Sequence, residues 1–256
     1  MHPILFSLGS WTLYSYGLLV AVGFASGILY ASYQAKKINP PIISQDELFN
    51  LLFYSVICAV IGARLMFVIV EAPQLFNTPL DIFKIWQGGL VYYGGFIGAM
   101  LFALLYIRKR KINTAKVFDL LAPAIALGHF FGRIGCFMSG CANGKPTDLP
   151  WGVVFTDPNT LSSITDIPVH PTQLYESFLN LILFFILRFY NKRGHKSGLA
   201  IAFYLIAYSV YRFLLEFLRG DYRGEDILGL STSQFISVFI FIIGISIVYR
   251  VNKCKK

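Results

Sequence analysis

The chain has 256 residues, 56% of them hydrophobic and only 14% charged, and its mean hydropathy is positive. A water-soluble domain of this length would carry more charge, so the composition excludes one and points to a membrane protein. The net charge of +9 does not indicate nucleic-acid binding, because the basic residues are divided among membrane-flanking loops instead of forming one patch.

Runs of about 20 apolar residues, enough to cross roughly 30 Å of hydrocarbon as a helix, predict seven spans. In chain order they centre on residues 13–31, 48–70, 90–107, 117–138, 171–188, 198–217 and 230–249. Strands are not expected as spans, since period-2 alternation is absent and an open sheet leaves unpaired backbone in lipid. The fold class is therefore an all-α membrane protein of seven transmembrane helices in one domain. Fifteen of the 22 basic residues fall after the first, third, fifth and seventh runs: Lys36 and Lys37; Arg108, Lys109, Arg110, Lys111 and Lys116; Arg188, Lys192, Arg193 and Lys196; Arg250, Lys253, Lys255 and Lys256. Those regions should face the cytoplasm, which puts the N-terminus outside and the C-terminus inside. With no basic region before it, the first run reads as a retained anchor and not a cleaved signal peptide.

The outward connections are longer. Residues 71–89, with PLDIFKIW and Trp86, suit a short helix lying in the interface. Residues 141–170, punctuated by Pro146, Pro150, Pro158 and Pro168, are long enough for a small head over an external mouth. Residues 217–230 read as a charged turn, RGDYRGED. Of the four cysteines, Cys58 lies in a span and Cys254 in the tail; Cys136 and Cys141 lie near the outer face, where they are small buried thiols or a disulfide. A zinc site from His129, Cys136, Cys141 and His170 is disfavoured because C-x4-C is not a structural zinc spacing. No metal and no cofactor are expected.

Counting about 1.5 Å of rise per residue along spans of this orientation brings Arg64, Arg133, Glu176, Arg212, Glu216 and Arg219 to one depth, in the outer half of the bilayer. His170 falls at the outer mouth, and Asp119 alone falls at the cytoplasmic start of a span. Charges at one depth should share a polar cavity instead of facing lipid separately, although paired charges can also serve only to lock helices together. Arg212 and Glu216 are i,i+4, Glu216 and Arg219 are i,i+3, and Tyr208 lies a turn further in on the same face. Four arginines against two glutamates leave an excess of two positive charges, and guanidinium forks fit phosphate oxygens.

Several motifs recur in order along the chain: Tyr16-Gly17, GAR ending at Arg64, QGGLVYYGG at 87–95, GRIGCFMSGCANG at 132–144, HPTQLYE at 170–176, YRFLLEFLR at 211–219 and STSQ at 231–234. On a seven-span frame this pattern resembles the bacterial prolipoprotein diacylglyceryl transferases. The resemblance implies a multi-pass enzyme of the bacterial inner membrane. Such an enzyme moves the diacylglyceryl group of phosphatidylglycerol onto the lipobox cysteine of prolipoprotein signal peptides and releases glycerol phosphate. It implies that Arg133 and Arg212 hold the phosphate, and that Tyr16, Tyr208, Glu216, Arg219 and Gly144 occupy functional positions. Arg64, Glu176, Gln173 and His170 complete the expected substrate-binding set.

Three positions depart from the family pattern: Tyr93 stands where a histidine is usual, Cys136 for an asparagine and Cys141 for a glutamate. A thiol is only a few per cent ionised at neutral pH, so the reaction needs a base or a cationic field. His129, His170 and Tyr93 are candidate bases, and the arginine field ranks above them. Two other readings remain open. One is a related transferase with a different acceptor or a lipid intermediate on Cys136 or Cys141. The other is a non-enzymatic protein that binds or transports anionic lipid, for which the inner half supplies almost no polar residues.

Overall fold

The computed structural model describes residues 1–9, 11–71, 89, 91–221 and 229–253. Among these a short antiparallel hairpin, β1 (Ile4–Leu8) and β2 (Trp11–Tyr14), precedes seven helices: α1 (Ser15–Lys37), α2 (Gln45–Glu71), α3 (Tyr92–Lys109), α4 (Thr114–Ser139), α5 (Thr172–Arg193), α6 (Leu199–Glu216) and α7 (Thr232–Lys253). Each helix coincides with one predicted run. Five of them, α1, α2, α4, α6 and α7, are long and apolar enough to cross a membrane. The other two carry more polarity: α3 ends in Arg108 and Lys109, and α5 includes Gln173, Glu176, Asn180 and Asn191. The hairpin stands outside the helices, before α1. It is tied to the start of α1 by Ser15, whose N–H donates to the Pro3 carbonyl at 2.9 Å and whose hydroxyl donates to that of His2. The interfacial helix expected around Trp86, the Gln87-Gly88 part of its motif, Cys254 and the charged turn beyond Asp221 lie outside the described residues.

The chain forms two compact units, Met1–Ala31 with Phe118–Lys256 and Ser32–Val117. In the second unit α2 and α3 meet through glycines. A Cβ on Gly62 would run into the Gly94 carbonyl, one on Gly98 into that of Cys58, and one on Gly95 would stand 3.2 Å from the Ala59 oxygen. Two backbones this close exclude every larger residue.

In the first unit α1 packs on α4 in the same manner, with Gly23 against Gly128 and Gly27 against the Ala124 carbonyl. The apolar core joins Ala122 and Ala126 of α4, Leu183, Phe184 and Leu187 of α5, and Ala200 and Tyr204 of α6. The buried stripe of α5 changes character along its length. Thr172, Gln173, Glu176, Ser177 and Asn180 occupy it first, then Leu183, Phe184 and Leu187.

The end of the unit where α4 starts is closed by Asp119. Pro123 inside α4 has no N–H for the Asp119 carbonyl, and Asn191 of α5 donates to that oxygen at 2.9 Å instead. The Asp119 carboxylate accepts the N–H groups of Gly198 and Ile201 at the start of α6. His195 lies 3.9 Å from the same carboxylate, contacts the Asn191 amide oxygen at 2.7 Å and stacks on Tyr190. Asp119→Ala removes an acceptor from two N-terminal amides and should destabilise the protein by about 1–2 kcal/mol. A thermal melt of the purified variant in detergent, showing a lowered Tm, checks this.

Candidate functional site

The opposite end of the first unit gathers the charges. Arg133, near the end of α4, places Nε 2.9 Å from Oε1 of Glu176, one turn into α5; the glutamate is 3% exposed and the arginine 21%. The chain leaving α4 is sewn to the first turn of α5: Thr172 donates to the Ala142 carbonyl and Gln173 to that of Cys141, both at 2.8 Å, and Ser177 donates to that of Phe130 at 3.0 Å. The Gln173 amide nitrogen makes that bond, while its amide oxygen is buried and has no hydrogen-bond partner among the described residues.

At the end of α6, Arg212 Nη1 and Glu216 Oε2 form an ion pair at 2.6 Å, off the ideal hydrogen-bond angle. Arg212 also donates through Nη2 to Ser233 of α7 at 2.8 Å, and Ser231 donates to the other Glu216 oxygen at the same distance. Arg219 lies 3.8 Å from Glu216 and forks onto Asp221 with bonds of 2.8 and 2.7 Å. Asp221 adds a carboxylate to the expected set: among the described residues of this cluster Arg133, Arg212 and Arg219 face Glu176, Glu216 and Asp221.

A backbone crossing joins the two groups. Gly144 pairs with Arg219 as an isolated antiparallel bridge, its N–H donates to the His170 carbonyl, and Gly220 N–H donates to the Asn143 carbonyl. A Cβ at Gly144 would collide with the His170 carbonyl and stand 2.6 Å from the His170 side chain. Asn143 is fully buried, and its side-chain oxygen accepts from both the N–H and the hydroxyl of Ser163. The 141–170 segment is thus stitched by bridges at Gly144, Pro146 and Val153.

A polar ladder runs inward from the charges. Asn180 donates to the Glu176 carbonyl and accepts from the Tyr211 hydroxyl, both at 2.8 Å. The Tyr211 ring meets Tyr208, which in turn packs 5.3 Å from His129. His129 Nδ1 shares a 3.0 Å hydrogen bond with Tyr204. Tyr16 packs beside Gly135. His170 is held instead at 3.4 Å from the hydroxyl of Tyr175, which accepts from Trp151. Arg64 and Tyr93 belong to the other unit. There Arg64 is buried, donates to the Gly89 carbonyl at 3.1 Å and lies over the Phe67 ring, while Tyr93 is exposed and packs edge-on against Tyr92.

Three contributors escaped the sequence reading. Asp221 was hidden in the charged turn, though Arg-x-Asp spacing could have marked it, and Asn180 and Tyr211 form a pair across helices that no local pattern announces. Cys136 and Cys141 are free thiols. Among the described residues no three His, Cys, Asp or Glu side chains are grouped as metal ligands.

Residues 3–250 match the family model of the prolipoprotein diacylglyceryl transferases. The chain belongs to this family. It is 39% identical over 256 residues to the phosphatidylglycerol–prolipoprotein diacylglyceryl transferase of Clostridium tetani, covering all of both chains. It is 35% identical to the second such enzyme of Clostridium perfringens, covering 100% of this chain and 97% of that one. Against the Bordetella avium enzyme it is also 35% identical, covering 95% and 92%. Family membership thus joins the arginine cluster as an independent observation.

Two outcomes follow from the geometry at this end. Gly144→Ala should destabilise the crossing by about 1–3 kcal/mol, since it overpacks a backbone contact; limited proteolysis within 141–170, faster in the variant, checks it. Hydrogen bonding with Cys136, the hydrogen bond that Ser139 donates to its sulfur, and the Arg133 and Arg219 charges lower the pKa of the Cys141 thiol, against burial. Alkylation of Cys141 at pH 7 should therefore outpace that of Cys136 and Cys58, as peptide mass spectrometry after brief iodoacetamide treatment would read.

Proposed function

We propose that this chain transfers the diacylglyceryl group of phosphatidylglycerol to the lipobox cysteine of prolipoproteins, with the cluster of Arg133, Arg212 and Arg219 as the phosphate site. The observation that carries the assignment is that these three guanidiniums are each fixed by a carboxylate at one end of one helical unit. A guanidinium has five N–H donors, more than one carboxylate consumes, so an oriented arginine can bind a second anion. In the reaction the substrate sulfur forms a C–S bond to the glyceryl carbon, the C–O bond to phosphate breaks, and its electron pair leaves with glycerol phosphate. The departing group changes from a singly charged diester to a monoester that gains negative charge, and preorganised donors favour that change over the ground state. The thiol proton goes to solvent, the cationic field favouring the thiolate over the thiol.

The remaining assignments follow the same reading. All seven helices span the bacterial inner membrane, with the arginine end outside and the Asp119 end in the cytoplasm, so the phosphate site meets outer-leaflet headgroups. The 141–170 head covers this mouth. Gln173, with its buried amide oxygen, accepts a hydroxyl of the headgroup glycerol; Glu216, Glu176 and Gly144 hold the arginines and the crossing in place. Tyr16, Tyr208, His129, His170, Arg64 and Tyr93 serve as supporting contacts to lipid or peptide.

The test is to incubate the purified protein with labelled phosphatidylglycerol and a synthetic lipobox peptide. Label should appear on the peptide, and Arg133→Ala and Arg212→Ala should each lower the rate at least about 100-fold, the usual cost of one anion-stabilising donor. Unchanged rates in both variants would remove the cluster from the reaction. A diacylglyceryl adduct on Cys136 or Cys141 would favour the version with a covalent lipid intermediate.

A further inference from the structure

The first unit holds a second feature, far along the helices from the arginine–carboxylate cluster. Gly244 of α7 lies so close to α6 that a Cβ there would stand 2.7 Å from the Ile206 side chain and 3.2 Å from the Ala202 carbonyl. One turn beyond this crossing a cavity of about 260 Å³ opens, lined by Ile186, Tyr190, Leu199, Phe203, Ile206 and Val248. Lys196, three residues before Leu199, donates through Nζ to Asn252, four residues after Val248, at 3.3 Å. Ile186 is 44% and Phe203 40% exposed, so the hollow opens sideways from the helices. Such a volume is below the roughly 300–1,000 Å³ of drug-sized sites. It suits a length of one flexible hydrocarbon chain.

The rim is basic. Arg193 closes α5 and lies over the Phe189 ring, Lys196 follows in the turn to α6, and Arg250 and Lys253 occupy the last turn of α7. Among the described residues none of these four is in an ion pair. Asp119, the carboxylate at this end of the unit, is engaged by the amides of Gly198 and Ile201. An apolar slot open to the side and rimmed by uncompensated cations matches one chemistry, a phospholipid with a negative headgroup.

We propose that this cavity binds one acyl chain of an anionic phospholipid, whose phosphate is taken by Arg193, Lys196, Arg250 and Lys253, at a site separate from the arginine–carboxylate cluster. The site does not depend on the transferase reading. The lipid pins the ends of α5, α6 and α7, adding to the Lys196–Asn252 contact and the Gly244 crossing.

Native mass spectrometry of the full chain in detergent tests it, with phosphatidylserine, phosphatidylglycerol and phosphatidylcholine as probes and Arg212→Ala as background to weaken the other anion site. One phosphatidylserine should be retained where phosphatidylcholine is not. Lys196→Gln with Arg250→Gln should reduce that retention at least about tenfold. Leu199→Phe, which narrows the slot and leaves the charge alone, should reduce it similarly. Equal retention of phosphatidylserine and phosphatidylglycerol supports a site for the net negative headgroup they share; retention of phosphatidylglycerol alone would overturn it in favour of a site for the donor lipid. Retention unchanged in Lys196→Gln with Arg250→Gln, or equal for phosphatidylcholine, would overturn the proposal.

Discussion

A guanidinium held inside a helical bundle has no water to satisfy it, so its partners must come from the protein, and that requirement organises one end of the first unit. Removing one member of a buried ion pair leaves the other uncompensated, at a cost of about 3–5 kcal/mol. Glu216 shows how far the demand reaches. Its carboxylate takes Arg212 on one oxygen and Ser231 on the other, while the second arm of Arg212 takes Ser233. The end of α6 and the start of α7 are thereby fixed to each other by charge and hydroxyl groups, where a dry core would use shape. Arg219 extends the set to Asp221, and its backbone bridge to Gly144 brings in the segment that leaves α4.

The same demand explains why α5 looks least like a membrane helix and yet is deeply placed. Its buried stripe begins with Gln173, Glu176, Ser177 and Asn180, each tied to a neighbouring helix or segment, and only then turns to Leu183, Phe184 and Leu187. Polarity in that first half is matched across the interface by Arg133, the Phe130 carbonyl and Tyr211. At the other end the solution differs. There Asp119 satisfies backbone groups, capping α6 with its side chain and giving Asn191 the carbonyl that Pro123 released.

Hydropathy alone located all seven helices, because a long apolar run has few alternatives to a helix in lipid. The Arg212-Glu216-Arg219 group was equally legible, since i,i+4 and i,i+3 spacing fixes a shared face. What the sequence hid is non-local. Asn180 meets Tyr211 only because α5 and α6 lie side by side, and nothing local to either reveals the partner. Asp221 stood in a stretch read only as a charged turn, and the hairpin before α1 is too short for its alternation to outweigh the apolar run that follows. Arg64 joins the other arginines in the sequence by depth, and its partners include the Gly89 carbonyl and the Phe67 ring.

Asp221 also changes how the proposed chemistry has to work. With four arginines and two glutamates the site would attract phosphate by surplus charge, and that attraction would act on the intact lipid as strongly as on the leaving group. Binding both equally does not accelerate the step. Among the described residues of this cluster, three arginines matched by three carboxylates offer less net attraction but fixed donors, whose orientation is set before the lipid arrives. Fixed dipoles and forks gain most when the charge they face increases, and in the proposed transfer it increases only as the C–O bond parts. On this view the carboxylates do not compete with the phosphate. They hold the guanidiniums so that little reorganisation remains when glycerol phosphate departs.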